Sequence, residues 1–263
     1  AMRALGHARE VGLALAATSQ INRLNMGQLP AMAKSFQDAG VQTWQVQLTG
    51  PLGRAADRPE WLVQPWEIVP IIDELADIQL RATTAWREAG SKGVPFNVFA
   101  NNNIGYFGPH EQALRSRPFG RENHFRGCQA GIYLLGIESD GTVKACPTLP
   151  TEGYGAGNVR EMALEDLWQR AEKMRFARDR DTGELWGFCK TCYYADECRA
   201  GCSWTTHTYF GKRGNMPICY HRVTQLKRRG LRERIVKVAD APGNPYDHGR
   251  FEIVEEPWVE DAR

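Results

Sequence analysis

The chain has no cysteine before position 128 and no apolar run near the roughly 20 residues a membrane-spanning helix needs. It has no strong excess of charge of either sign. Each absence excludes something. Without the long apolar run, no membrane span is expected. With 33 Lys plus Arg against 31 Asp plus Glu, a net charge of +2, the basic surplus of a dedicated nucleic-acid binder is missing. Short basic runs such as Lys227-Arg228-Arg229, and Arg232 and Arg234 around Glu233, read as solvated helix faces. The apolar stretch 11–17 is only seven residues long and directly follows Glu10, so it reads as a buried strand rather than a signal-peptide core.

The seven cysteines all fall between positions 128 and 219. An odd number leaves one thiol over in any disulfide framework. Their spacing is tight: Cys128 and Cys146, then Cys189-x2-Cys192-x5-Cys198-x3-Cys202, then Cys219. Close thiol pairs on turns reach one metal at small cost in chain entropy. The pattern therefore predicts metal ligands in a reducing, cytoplasmic protein. Two four-ligand sites need eight donors and the cysteines supply seven, so one site is incomplete or is finished by another residue. On spacing alone, two readings stand. One is a pair of structural zincs, the second completed by His124, His207 or His221; the other is a pair of iron–sulfur clusters.

Residues 1–117 read as alternating helix and strand. The pattern predicts a helix over 2–10, a buried strand over 12–21, an amphipathic helix over 29–39 closed by Gly40, a strand over 43–48, a turn over 50–54, and a short apolar segment at 96–99. Ile68, Ile71, Ile72, Leu75 and Ile78 recur at helical spacing, predicting a long helix over 65–86. This order implies parallel strands under helices, but with too few helices to cover both faces of each strand. The rest of the sheet must then come from a missing part of the chain or from a partner. From residue 118 the composition shifts toward Cys, Gly and Tyr. Within this part Leu164, Leu167, Trp168, Ala171 and Met174 predict a helix over 164–177, a further helix is expected over 225–238, and 239–263 reads as an extended tail. The division is 1–117, 118–225 and 226–263.

The cysteine pattern Cys128-x12-Gly141-x4-Cys146, gap, Cys189-x2-Cys192-x5-Cys198-x3-Cys202, gap, Cys219 resembles the seven-cysteine motif of the SPASM domain, which follows the barrel in many radical S-adenosylmethionine (radical SAM) enzymes. The flanks agree. Ile137 to Val143 resembles the short hairpin before the second cysteine, Gly157-Asn158-Val159 with Leu164-Glu165-Asp166-Leu167-Trp168 resembles the start of its helix, and Cys198-Arg199-Ala200-Gly201-Cys202 resembles its CRgGC segment. The resemblance covers about residues 124–225.

The resemblance implies an α/β fold: the C-terminal part of a partial (β/α)6 radical SAM barrel, followed by a small, loop-rich iron–sulfur domain with a β-hairpin and short helices. It implies two auxiliary 4Fe–4S clusters with interleaved ligands. Cys128, Cys146 and Cys202 would hold the first, with one iron open or met by a residue such as His124 or Glu122. Cys189, Cys192, Cys198 and Cys219 would hold the second. Segment 16–25 and segments 43–48 and 53–55 resemble the fifth and sixth barrel strands, so Asn22, Gln47 and Leu48 would line the S-adenosylmethionine pocket. The family's C-x3-C-x2-C motif, which binds the catalytic cluster, is not in this sequence. S-adenosylmethionine and a third 4Fe–4S cluster are then expected only with a missing N-terminal part, and the chain is expected to be inactive alone. The implied function is that of a radical SAM oxidoreductase acting on a peptide or protein substrate, as in ribosomal-peptide maturation. An iron–sulfur electron-transfer or binding module without catalysis, and a zinc-stabilised interaction domain, are the alternatives.

Overall fold

In the computed structural model, which describes residues 2–116, 122–243 and 248–259, a helix α1 (Met2–Glu10) leads into three parallel strands joined by helices. The strands are β1 (Ala16–Ile21), β2 (Thr43–Leu48) and β3 (Asn97–Ala100), in that spatial order. Helix α2 (Leu29–Asp38) connects the first pair and α3 (Ile68–Glu88) the second. Gly40, at φ +81°, ends α2 in the left-handed conformation that glycine adopts without strain. The helical period read in α3 has its expected consequence: Ile68, Ile71, Ile72, Leu75 and Ile78 are all buried. Each such side chain contributes about 1.5–3 kcal/mol of burial free energy.

One face of this sheet is packed and the other is open. In β2, Trp44, Val46 and Leu48 point into the core, while Thr43, Gln45 and Gln47 are only half-buried. Register aligns Thr18 with Gln45 and Gln20 with Gln47, so the open face is polar. The strand expected as buried over 12–21 is shorter and more exposed than that. It spans Ala16–Ile21, occupies the sheet edge, and alternates exposed with half-buried positions. Val11 and Leu13 are 74% and 62% exposed. The physical reason is that, among the described residues, β1 has a neighbour on its β2 side only.

After α4 (Glu111–Arg115) the chain enters the cysteine-bearing part. Strands β4 (Gly136–Ile137) and β5 (Thr142–Lys144) form the expected hairpin, and an irregular turn α5 (Thr151–Tyr154) leads to β6 (Gly155–Asn158), which extends it. The helix expected over 164–177 is broken. Ala171 takes an extended ψ of 121°, splitting it into α6 (Leu164–Arg170) and α7 (Glu172–Arg175). Both pieces still bury the predicted apolar face, through Leu167 and Met174, against Ala130, Val143 and Ala145. Short helices α8 (Ala195–Cys198), α9 (Ser203–Phe210) and α10 (Tyr220–Arg228) follow.

The C-terminal expectations need correction. The helix over 225–238 ends at Arg228, and 231–239 is a strand, β7 (Leu231–Ala239). Gly230, at φ +72°, stops the helix, and the β-branched Ile235, Val236 and Val238 favour strand over helix. The expected extended tail contains β8 (Arg250–Pro257), antiparallel to β7. Gln64 binds this hairpin as a peptide would: its side chain donates to Ile235 O at 3.2 Å and accepts from Ile235 N at 2.8 Å. Among the described residues, no helix is long and apolar enough to cross a membrane.

Candidate metal centre

Helix starts and tight turns deliver the thiols. All seven cysteines are free of disulfides. Cys202 stands at the N-cap of α9 and Cys219 at the N-cap of α10, where unpaired N–H groups favour a negative sulfur. Between Cys198 and Cys202 the residues Arg199, Ala200 and Gly201 all lie at positive φ, +48°, +59° and +66°. This left-handed turn reverses the chain so that the two thiols depart in different directions.

Cys189, Cys192, Cys198 and Cys219 line one pocket. Its remaining wall is largely apolar or aromatic, including Tyr106, Phe188, Tyr194 and Met216. Met216 N donates to Cys189 Sγ at 3.4 Å, and Cys219 Sγ donates to Tyr106 O at 3.7 Å. Burial pushes all four thiols up, Cys219 to about 12.

The other three cysteines gather separately. Cys202 is pushed up to about 12, first by burial and then by its neighbours Cys128 and Cys146. The backbone N–H and the hydroxyl of Thr205 both face Cys202 Sγ, and that hydroxyl has no nitrogen or oxygen partner. Gly131 N donates to Ala145 O at 3.1 Å, tying the Cys128 loop to the Cys146 strand. Both cysteines rest on the small core around Val143 and Leu167.

The donor chemistry fits a cluster. Among the described residues, no three His, Cys, Asp or Glu side chains close around a point suited to one metal ion. The four thiols instead ring a void. A zinc ion needs each sulfur at about 2.3 Å from a single centre, whereas a cubane presents its irons outward to thiolates around it. Four thiols on one largely apolar wall, Cys189 and Cys198 buried and Cys192 and Cys219 half-buried, match the second requirement.

The histidines considered as further ligands have other partners. His124 Nε2 pairs with Glu197 Oε1 at 3.0 Å, beside Phe107 and Tyr194, and Glu122 is exposed. His207 meets the Tyr154 hydroxyl at 3.2 Å and packs on His248, and burial with His248 and Arg213 lowers it to about 4. His221 lies against Tyr194, on the wall of the four-thiol cavity.

At the C-terminal edge of the sheet Asn22 donates to Thr49 Oγ1 at 3.2 Å, and Gln47 accepts from Asn101 Nδ2 at 3.1 Å. Both side chains are partly open. Leu48 is buried in the core, its peptide engaged on both sides by Asn103.

Sequence reading missed three residues. Tyr106 stands between the thiol sets: it lines the four-thiol cavity, and its hydroxyl accepts from Cys202 N at 3.3 Å and donates to Asn102 O. Arg180 and Arg222 are the buried cations beside the sulfurs. Nothing in their local sequence marks them; Tyr106 meets a segment 96 residues away and Arg180 one 23 residues away.

Residues 128–193 match the SPASM family, an iron–sulfur cluster-binding domain. The AdoMet-dependent heme synthase of Nitratidesulfovibrio vulgaris is 23% identical over 86% of this chain and 59% of that protein. The mycofactocin maturase MftC of Mycobacterium ulcerans is 27% identical over 77% of this chain and 48% of that protein. The chain thus spans about half the length of these curated relatives. Streptococcus suis SuiB, solved bound to S-adenosylmethionine, overlays 77% of this chain and 44% of its own at a TM-score of 0.47 and 15% identity, a likeness of outline only. The chain is thus similar over most of its length to an AdoMet-dependent heme synthase and a mycofactocin maturase, and its residues 128–193 match the SPASM domain.

Proposed function

We propose that this chain is the C-terminal part of a radical SAM/SPASM oxidoreductase that modifies a peptide or protein side chain in the cytoplasm. The gathering of Cys189, Cys192, Cys198 and Cys219 on one largely apolar pocket, apart from Cys128, Cys146 and Cys202, is the observation that carries this reading. The four would hold one auxiliary 4Fe–4S cluster and the three a second, open at one iron. When bound, such clusters supply one-electron transfer and, at the open iron, a Lewis-acidic binding position. The chain's own work is to hold and tune them. Backbone N–H groups neutralise thiolate charge, and Phe188 and Tyr194 keep water from the four-thiol site. Residues 1–117 would form the end of the barrel, with Asn22 and Gln47 facing S-adenosylmethionine and Leu48 packed beneath them. Residues 118–225 would form the auxiliary-cluster domain, and 226–263 would brace it from the C-terminal side.

A second reading concerns the substrate. The relative matched over 86% of the chain is named a heme synthase, which favours a tetrapyrrole over a peptide. Purification without oxygen tests the first reading. A brown protein with about eight iron atoms per chain, as two cubanes require, supports it. A colourless protein holding stoichiometric zinc overturns it. Binding of a porphyrin to the brown protein, with no binding of candidate peptides, would favour the tetrapyrrole.

A further inference from the structure

Arg180 is 4% exposed, and its Nε and Nη2 have no hydrogen-bond partner. Its Nη1 reaches Ser203 Oγ at 3.4 Å, and its Nε lies 3.6 Å from Glu184 Oε2, too far for a hydrogen bond. Arginine stays charged in proteins, and buried donors are rarely left unused. Arg222, the buried arginine on the wall of the four-thiol pocket, differs: both Glu233 oxygens, Asn215 Oδ1 and Met216 O accept from it.

The placement of Arg180 suggests what its idle donors are for. Ser203, which it touches, directly follows Cys202 in the chain. Its charge is also felt across both thiol sets: Cys128 and Cys198 act on Arg180, and Arg180 acts on Cys189. A cluster held by thiolates is negative, and more so when reduced. A fixed cation near such a cluster stabilises the reduced form and raises the reduction potential.

We propose that Arg180 is a shared positioning cation of both cluster sites: its Nε and Nη2 donate to cluster or cysteinyl sulfur, and its charge raises the reduction potential of each cluster. This rests on the two-cluster reading above. The alternative role for Arg180 is a mere pin for Ser203 and Glu184, which would leave the potentials unmoved.

The test uses the intact chain, purified without oxygen, as wild type, Arg180→Gln and Arg180→Lys. Iron is counted first. Wild-type chain without iron overturns the two-cluster reading itself, before any variant is compared. With iron present, EPR-monitored potentiometry reads both midpoints. Arg180→Gln is expected to make both more negative, lowering the reduced-to-oxidised ratio at fixed potential about tenfold, or about 59 mV for a one-electron couple. Arg180→Lys, which keeps the charge, is expected to shift them less. Unchanged midpoints in an iron-replete Arg180→Gln chain overturn the proposal, and a shift confined to one cluster overturns the shared role. If Arg180→Gln fails to retain iron, ENDOR of reduced wild-type chain labelled at arginine nitrogen decides. Arginine-nitrogen coupling on both clusters is expected, and its absence from either overturns the proposal.

Discussion

Gly201 and Tyr106 meet without room for another atom: a Cβ on Gly201 would stand 2.9 Å from Tyr106 Cζ, and the glycine sits at φ +66°. That contact seats the Cys198–Cys202 turn against the residue that separates the two thiol sets. Gly201→Ala is therefore expected to combine backbone strain with overpacking, costing about 1–3 kcal/mol. Denaturant unfolding would measure the cost, and iron content should fall with it. An alanine variant of wild-type stability would show that the turn tolerates a side chain.

Arg222 and Glu233 join the second thiol set to the C-terminal hairpin, with guanidinium–carboxylate distances of 2.6 Å and side chains 2% and 8% exposed. Removing one partner leaves the other charge buried. Arg222→Ala should cost about 3–5 kcal/mol in urea unfolding, and Arg222→Met combined with Glu233→Leu much less. Equal losses in both variants would mean the pair acts through its charges, not its packing.

The fold of residues 16–100 was legible where side-chain period and burial agree, as in α3 and β2. It was misread where a missing neighbour decides burial, as in β1. The thiol pattern was legible because ligand spacing is local. What organises the thiols was not: Tyr106 comes from the loop after β3, and Arg180 and Arg222 from turns or helices whose own sequence is ordinary. Segment 225–238 failed for a different reason. Its charges suit an exposed helix as well as an edge strand, and only Gly230 and the alternation of Ile235 with its flanks tell them apart.

His207 gives the protein an acid-sensitive point. Burial, His248 and Arg213 lower its pKa to about 4, below the value of about 6.5 for a free histidine. The unfolded chain therefore binds more protons between these values. The stability from keeping His207 neutral is complete above about pH 6.5 and is lost as pH falls toward 4. Unfolding midpoints measured across that window should decline, and His207→Gln should flatten part of the decline. An unaltered slope in the variant would assign the acid sensitivity elsewhere.

Iron removal should act on one region more than another. The sheet core of Trp44, Val46 and Leu75 runs on into Leu185, Met216 and Ile218, whereas the five buried residues around Val143 form a separate small cluster that leans on Cys128 and Cys146. Metal binding energy is folding energy in such a place. Chelation under argon should strip hydrogen-exchange protection most from residues 128–176 and spare amides in α3 and β2. Uniform protection before and after would mean the cysteine region folds without metal.

The turn through Arg199, Ala200 and Gly201 is a short, strained tether, since two of its three left-handed residues carry a side chain. Filling either thiol set fixes where the other begins. Half-loaded chains should accordingly be scarce during assembly, and damage to one centre by oxygen should be transmitted to its companion through these few peptide bonds.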